Sequence, residues 1–401
     1  MKPASMARPP GGVRPSPEGV AGRRPSLAEV DFEKSPFLVI WETTQACDLA
    51  CLHCRAEARP WRDPRELTTD EAKALIDRVR AFGRPLFVLT GGDPLKRPDM
   101  VELVRYGSSA GLRMAMTPSG TPLMTPEVIA DLAEAGLTRL AVSLDGSTAE
   151  IHDGFRGVDG SFAWTLRMIQ AARGLGLSTQ INTTVTRQNV DDFERMAELM
   201  TTLGIALWSV FFLVPTGRAR PQDLASPEEF EAVFQRMYDL SRVVPFDIKS
   251  TAAPQYRRVI LQRQVAERRA GSRAEAPSAL TAGIGFSLAD GVGRARGVND
   301  GNGFVFVSHR GDIFPSGFLP LSAGNVRKDD LVEVYRHHPL FRALRDPDRL
   351  KGKCGVCEYR SLCGGSRARA YALTGDPLAA DPYCVHIPAR WATRNEPSTD
   401  T

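Results

Sequence analysis

Seven cysteines occur in the 401-residue chain, in two groups. Cys47, Cys51 and Cys54 lie within "TTQACDLACLHC", residues 43–54, as Cys-x3-Cys-x2-Cys. Cys354, Cys357, Cys363 and Cys384 are spaced Cys-x2-Cys-x5-Cys-x20-Cys. Thiolates are soft ligands suited to iron and zinc. Four of them close a tetrahedral metal site or an iron–sulfur cubane. The first group is one thiolate short. A cubane held by three cysteines leaves one iron as a Lewis-acidic docking point for a chelating molecule. Zinc completed by His53 is an alternative, although His53 sits inside the Cys51–Cys54 bracket, where its ring reaches the same metal only under strain. For the second group a four-thiolate zinc site competes with a cubane.

Composition fits a folded globular protein: 42 % of residues are apolar and 24 % charged, enough for a sizeable core. The net charge of +4 is small for this length and half of it falls in residues 1–36, which argues against a nucleic-acid partner. No run of 18 or more apolar residues marks a membrane span. The Pro-, Gly-, Ser- and Arg-rich start lacks an apolar signal region and reads as a disordered leader over 1–36. An odd number of cysteines bunched in two places suits a reducing cytoplasm better than a secreted disulfide scaffold.

The elements that must position the cysteines follow a strand–helix rhythm from residue 37. "FLVIWETT", "PLFVLTGGDP", "LRMAMTPSG", "LTRLAVSLDG", "LSTQINTTVT" and "IALWSVFFLVPTG" read as six largely apolar strands. Between them lie capped amphipathic stretches such as "TTDEAKALIDRVRAFG". Alternation of this kind implies parallel strands joined by right-handed crossovers, in a doubly wound sheet or a barrel between which periodicity does not choose, with chemistry in either case at the strand C-terminal ends. The first cysteine group, "GGDP", "SLDG", "NTT" and "PTGR" all fall there. After Gly217 the rhythm breaks into a helix capped by Ser226, a basic stretch at 259–285 poor in apolar residues, and a hairpin signal around "HRGD".

The Cys47–Cys51–Cys54 spacing, with a ring-bearing residue before the third cysteine, resembles the signature of the radical S-adenosylmethionine (radical SAM) superfamily. That resemblance implies an α/β fold, a partial (β/α)6 TIM-like barrel with the cluster loop after its first strand. It implies a 4Fe–4S cluster whose open iron is chelated by S-adenosylmethionine. Reduction of the cluster then cleaves the sulfonium, and a 5′-deoxyadenosyl radical abstracts a substrate hydrogen. A flavodoxin or ferredoxin is the implied electron donor. By the same resemblance Gly91, Gly92 and Asp93 meet the methionine amino group, with Asp93 where Glu is commoner. Ser143 and Asn182 lie beside the adenosine, and Arg156 meets the methionine carboxylate. Asp145 and His152 are read as structural turn or cap residues.

The second group resembles the end of a SPASM domain, the auxiliary-cluster extension of many such enzymes. Its full form has seven cysteines; here Ser316 and Arg367 stand at two of the other positions. The remaining four resemble the ligand set of one outer auxiliary 4Fe–4S cluster, suited to electron relay or support. The implied organisation is a leader at 1–36, a barrel at 37–217, a helical connection at 218–300, a smaller α+β iron–sulfur domain at 301–390 and a tail at 391–401. "CGVCEYRSLCGGSRARAYALTGDPLAADPYC" and "KSTAAPQYRRV" look most like the branch serving haem and modified-tetrapyrrole biosynthesis, which acts on porphyrin propionates. Arg257, Arg258, Arg367 and Arg369 are candidate propionate partners, with a solvated basic surface as the competing reading. Two other readings remain: a maturase applying the same radical chemistry to a ribosomal peptide, and a non-catalytic zinc-binding interaction protein.

Overall fold

The computed structural model describes residues 30–271 and 297–395. Most of the expected leader, the second half of the basic 259–285 stretch and the end of the expected tail lie outside the described residues.

Strand–helix alternation builds the barrel in chain order. It runs β1 (Leu38–Glu42), α1 (Thr69–Arg80), β2 (Leu86–Thr90), α2 (Met100–Ser109), β3 (Arg113–Met116), α3 (Pro126–Glu134) and β4 (Leu137–Ser143). It continues through α4 (Ala149–Arg156), α5 (Ser161–Gly174), β5 (Ser178–Val185), α6 (Phe193–Leu203), β6 (Leu207–Phe212), α7 (Pro227–Leu240), β7 (Asp247–Thr251) and α8 (Gln255–Arg269). β8 (Phe304–Val307), β9 (Asp312–Phe314) and β10 (Gly324–Asn325) follow. The C-terminal part is helical: α9 (Leu331–His337), α10 (Pro339–Arg345), α11 (Gly352–Gly355), α12 (Arg367–Thr374) and α13 (Ala389–Asn395).

Local chemistry sets the helix starts. Thr68 and Glu71 form a capping box at α1, as do Ser226 and Glu229 at α7, satisfying backbone donors that have no helical partner. The strands form one ten-stranded sheet ordered β10-β9-β8-β1-β2-β3-β4-β5-β6-β7. The eight strands from β8 to β7 pair in parallel, and β9 and β10 add an antiparallel ribbon beyond β8. β7 and β8 are not paired to each other, so the barrel is partial.

Two strands depart from the sequence reading. β7 lies in a stretch expected to be helical, and the hairpin around "HRGD" joins the barrel sheet through Leu38↔Phe304 to Trp41↔Val307. "FDIKST" is short and half polar because Lys249 and Thr251 lie on the side of the strand opposite Ile248, which packs in the core, and this hides its strand character from an apolar-run reading.

Outward-facing Val39, Trp41, Phe87, Leu89, Met114 and Met116 pack with Leu75, Ile76, Leu103 and Val104 of the helices in the main core. At such sites burial contributes about 1.5–3 kcal/mol per large apolar side chain. The inward face holds a small apolar plug of Leu86 and Ala115 with Leu38 and Val88. Further along the strands that face turns polar. Ser143, Asn182, Ser209 and Lys249 share one register level across β4, β5, β6 and β7. No described helix is long and apolar enough to cross a membrane.

Candidate functional site

Cys47, Cys51 and Cys54 sit on the loop that leaves β1, all as free thiols, with Cys47 and Cys51 buried and Cys54 packed beside them. The loop is held by its own backbone, by the end of α4 and by the segment after β6. Cys47 N donates to Arg59 O at 2.7 Å, Ala50 N to Arg156 O at 3.1 Å, and Leu52 N to Phe155 O at 3.2 Å. Arg218, in the "PTGR" motif after β6, donates to Cys51 O at 3.3 Å and Ala58 O at 2.8 Å. Among the described residues positive φ at a non-glycine occurs only at Glu57, in this loop, and at Ala252, just past β7. Both are rim positions where surrounding contacts impose an uncommon backbone.

The sulfurs receive few donors. Leu49 N lies 3.3 Å from Cys47 Sγ, Ala58 N 3.4 Å from Cys54 Sγ, and Arg156 Nη1 3.6 Å from Cys51 Sγ. Burial pushes the Cys47 thiol up to about 11 and the Cys51 thiol up as well, so their thiolate forms need a nearby cation. Two buried nitrogens beside them, His53 Nδ1 and Arg156 Nε, have no hydrogen-bond partner. Burial, reinforced by Arg156, pushes His53 well below its ordinary range and keeps it neutral. Three clustered soft donors with orphaned polar atoms beside them fit a bound metal cluster carrying a further polar ligand.

Gly91 and Gly92 press against this loop. A Cβ on Gly91 would lie 2.6 Å from Thr44 O, and one on Gly92 would lie 2.4 Å from Ala46 O and 2.6 Å from Gln45 O. The close approach allows Gly92 N to donate to Thr44 O at 2.7 Å and Asp93 N to Ala46 O at 2.6 Å. Asp93 is fully buried with both oxygens engaged: Oδ2 accepts from Thr121 at 2.8 Å, and Oδ1 from Leu95 N at 3.2 Å. Its carboxylate is committed to the turn that packs on the cysteine loop.

Arg156, at the end of α4, pairs with Asp145 and reaches Cys51 Sγ. Asp145 also accepts from Thr184 N at 2.6 Å, and its own N–H donates to His152 Nδ1 at 3.1 Å. Burial, with Arg156 adding to it, pushes His152 down to about 3, leaving it a neutral acceptor. Asp145 and His152 therefore hold the turn after β4. Ser143 and Asn182 are register partners at the barrel mouth, and Asn182 Oδ1 accepts from Gln180 at 2.7 Å.

Two contributors escaped the sequence reading. Ser119, in "TPSG" after β3, donates to Gly92 O at 2.8 Å and lies 3.3 Å from Cys47 Sγ, joining the glycine turn to the first cysteine. Its place at a strand end was the available signal. Glu42 ends β1 buried between Arg55, at 2.9 Å, and His309 Nδ1, at 2.8 Å. Arg55 also stacks 4.6 Å over Phe306 and reaches Gly317 O, so the cysteine loop is tied to β8 and the segment after β9. Nothing in the spacing of these residues announces that link.

The second group closes on itself. Cys354, Cys357, Cys363 and Cys384 line one cavity with Gly364 and Gly365, and all four thiols are free. Backbone donors point at all four sulfurs: Asp381 N at 3.5 Å from Cys354, Tyr359 N at 3.4 Å from Cys357, Gly365 N at 3.4 Å from Cys363, and His386 N at Cys384. Burial pushes Cys363 up to about 12 and raises Cys357 and Cys384, again a donor set that calls for a cation. Cys357, Glu358 and His386 also place ligand atoms within 4.8 Å of one another, and His386 Nε2 sits 2.9 Å from Glu358.

The four arginines expected to face propionates are otherwise engaged. Arg257 donates to Leu362 O and Val298 O, and Arg258 pairs with Glu231 at 2.5 Å. Arg367 and Arg369 are 1 % and 0 % exposed, so neither belongs to a solvated basic surface. Arg369 grips Asp381 at 3.1 and 2.8 Å and donates to Ala252 O. Burial alone would raise the Asp381 carboxyl, but Arg369 more than offsets it and holds it below its ordinary range. Asp381 in turn accepts from Ser366 N and Gln255, binding the cysteine loop to α8. Arg369→Met should destabilise the chain by about 3–5 kcal/mol by stranding that carboxylate, read as a lower denaturant midpoint at unchanged slope.

Against this geometry, the Radical SAM superfamily profile matches residues 41–200. AdoMet-dependent heme synthase of Methanosarcina barkeri is 43 % identical over 363 residues, covering 90 % of this chain and 99 % of its own. The AdoMet-dependent heme synthase of Oleidesulfovibrio alaskensis is 41 % identical over 365 residues, 90 % of this chain and 89 % of its own. Among solved structures, Streptococcus suis SuiB bound to precursor peptide SuiA superposes with a TM-score of 0.64 at 16 % identity, covering 88 % of this chain and 76 % of its own, a likeness of fold.

Proposed function

Because the chain belongs to the radical SAM superfamily, and is an enzyme of it, we propose that it oxidises propionate side chains of an iron-porphyrin precursor of haem. Membership implies a 4Fe–4S cluster and S-adenosylmethionine. The observation that carries the finer reading is the pairing of a three-thiolate loop after β1 with a four-thiolate cavity, in a chain 41–43 % identical to AdoMet-dependent heme synthases, while mycofactocin maturases match it at only 31–32 %.

In this reading Cys47, Cys51 and Cys54 hold the catalytic cluster. When bound, that cluster supplies one-electron reductive cleavage of S-adenosylmethionine. Gly91 and Gly92 let the turn pack on the loop, where Gly92 N donates to Thr44 O, and Ser119 orients the Gly92 carbonyl. Arg156 keeps a positive charge beside the Cys51 sulfur, favouring the thiolate, while Asp145 fixes its direction. Ser143 and Asn182 present polar edges at the barrel mouth, and Asp93 shapes the turn that holds the cosubstrate amine. Lys249 shares their register level, a cation suited to a carboxylate-bearing substrate.

Each propionate converted to a vinyl group gives up one β-hydrogen, one carbon dioxide and one electron. Cys354, Cys357, Cys363 and Cys384 hold a second cluster with no open iron, suited to carrying that electron. A flavodoxin- or ferredoxin-type donor serves the first cluster.

The test is an anaerobic assay with S-adenosylmethionine and reductant, offering iron-coproporphyrin in one arm and cysteine-rich precursor peptides in another, read by mass spectrometry. Decarboxylated porphyrin is expected. Modification confined to the peptide arm would replace this reading with a peptide maturase, and a colourless chain carrying zinc without iron would leave a zinc-binding protein.

A further inference from the structure

The buried arginine beside the Cys354 sulfur does more than brace a loop. Arg367 Nε donates to Gly365 O at 3.2 Å, and Nη1 donates to Pro377 O at 3.0 Å and Ala379 O at 2.7 Å. Those three carbonyls fix the guanidinium plane. Its remaining nitrogen, Nη2, is thereby aimed at Cys354 Sγ, 3.9 Å away. Among the described residues Cys354 is the one member of its group with a cationic side-chain donor; the other three sulfurs accept from backbone N–H groups.

The approach depends on Gly365. A Cβ there would lie 2.4 Å from Arg367 Nη2 and 3.2 Å from Cys354 Sγ, and the residue holds φ +68, where a side chain is disfavoured. The local sequence therefore keeps open the corridor between guanidinium and sulfur. Ser316 and Arg367, the two residues at positions where more cysteines would be expected, both act on one carboxylate. The Ser316 hydroxyl hydrogen-bonds Asp300, Arg367 attracts it electrostatically, and Ala368 N donates to it at 2.9 Å. Charged and hydrogen-bonding groups thus occupy the flank of the four-cysteine cavity and are satisfied there without a metal.

We propose that Arg367 is a positioning residue that tunes the four-cysteine cluster, its guanidinium at the Cys354 sulfur raising the reduction potential of that centre. Reduction adds a negative charge to the cluster, and a fixed cation at a ligand sulfur in a dry site stabilises the reduced form more than the oxidised one. A higher potential suits a centre that accepts the electron released when a substrate radical is oxidised. This inference rests on the reading that the four cysteines hold a cluster.

An EPR-monitored redox titration of the reconstituted full chain tests it. Arg367→Gln should move the midpoint of the four-cysteine signal negative, so that at the wild-type midpoint the oxidised-to-reduced ratio rises about tenfold, equivalent to about 59 mV for one electron. Arg367→Lys, which keeps the charge, should recover part of the shift. A midpoint unchanged in an Arg367→Gln chain carrying both clusters overturns the proposal. If Arg367→Gln does not load the second cluster, pulsed EPR of the wild-type chain labelled with guanidino-¹⁵N arginine decides. A nitrogen coupling on the four-cysteine signal is expected, and its absence overturns the proposal. A wild-type chain with about four irons rather than eight refutes the underlying cluster reading instead.

Discussion

Changing Cys47, Cys51 and Cys54 together to alanine should abolish 5′-deoxyadenosine formation while leaving about half of the roughly eight irons in place. The first loss follows because these three thiols are the soft donors grouped on the loop after β1, and no fourth cysteine is available to replace them. The retained half follows because Cys354, Cys357, Cys363 and Cys384 line a separate cavity with its own braces, the Arg369–Asp381 pair and Arg367. Iron and sulfide quantitation with product chromatography checks both halves together. Persisting 5′-deoxyadenosine would remove the catalytic assignment. Loss of all iron would mean that the two centres do not load independently.

Gly92→Ala should be nearly as damaging, although it removes no ligand. Its Cβ would meet Ala46 O at 2.4 Å and Gln45 O at 2.6 Å, backbone atoms that cannot swing away as a side chain can. Two short backbone bonds, Gly92 N to Thr44 O and Asp93 N to Ala46 O, lock the turn to the residues just before Cys47, so the clash passes directly to the first cysteine. Overpacking of this kind costs about 1–3 kcal/mol. A shift of about 1 Å in a reacting geometry costs about a hundredfold in rate. We therefore expect a lower thermal midpoint, reduced iron loading and at least about a hundredfold loss of S-adenosylmethionine cleavage. Cleavage within a few-fold of wild type would show that the turn does not position the loop.

The sequence was most informative where chemistry is local. Period and caps placed the six strands of the alternating barrel, because a parallel sheet covered on both faces needs near-continuous apolar runs and each helix needs a capped start. The cysteine spacing marked both groups, since thiolates so close in sequence have few other uses. β7 stayed hidden because its alternate residues, Lys249 and Thr251, share the polar side of a strand whose other side packs Ile248 in the core. The Glu42–Arg55–His309 link joins residues more than 250 positions apart and leaves no local trace. The arginines misled for a related reason. A basic cluster in sequence looks like a surface, and only the folded chain reveals that Arg367 and Arg369 are wholly enclosed and spent on carbonyls, a sulfur and Asp381.

Those enclosed cations also bear on the proposed division of labour between the two cysteine groups. The first cysteine group sits on the loop after β1 beside the glycine turn that follows β2, whereas the second lines its own cavity with Gly364 and Gly365. One arrangement suits a cosubstrate and a carboxylate-bearing substrate; the other suits an electron in transit.

The most direct test of the central claim is isotope transfer. Iron-coproporphyrin deuterated at the propionate β-carbons is incubated anaerobically with the reconstituted chain, S-adenosylmethionine and reductant, and 5′-deoxyadenosine is analysed by mass spectrometry. Deuterium in the 5′-deoxyadenosine, together with a porphyrin lighter by carbon dioxide plus one hydrogen and one deuterium per converted side chain, is the predicted result. Unlabelled 5′-deoxyadenosine and an unchanged porphyrin would contradict it.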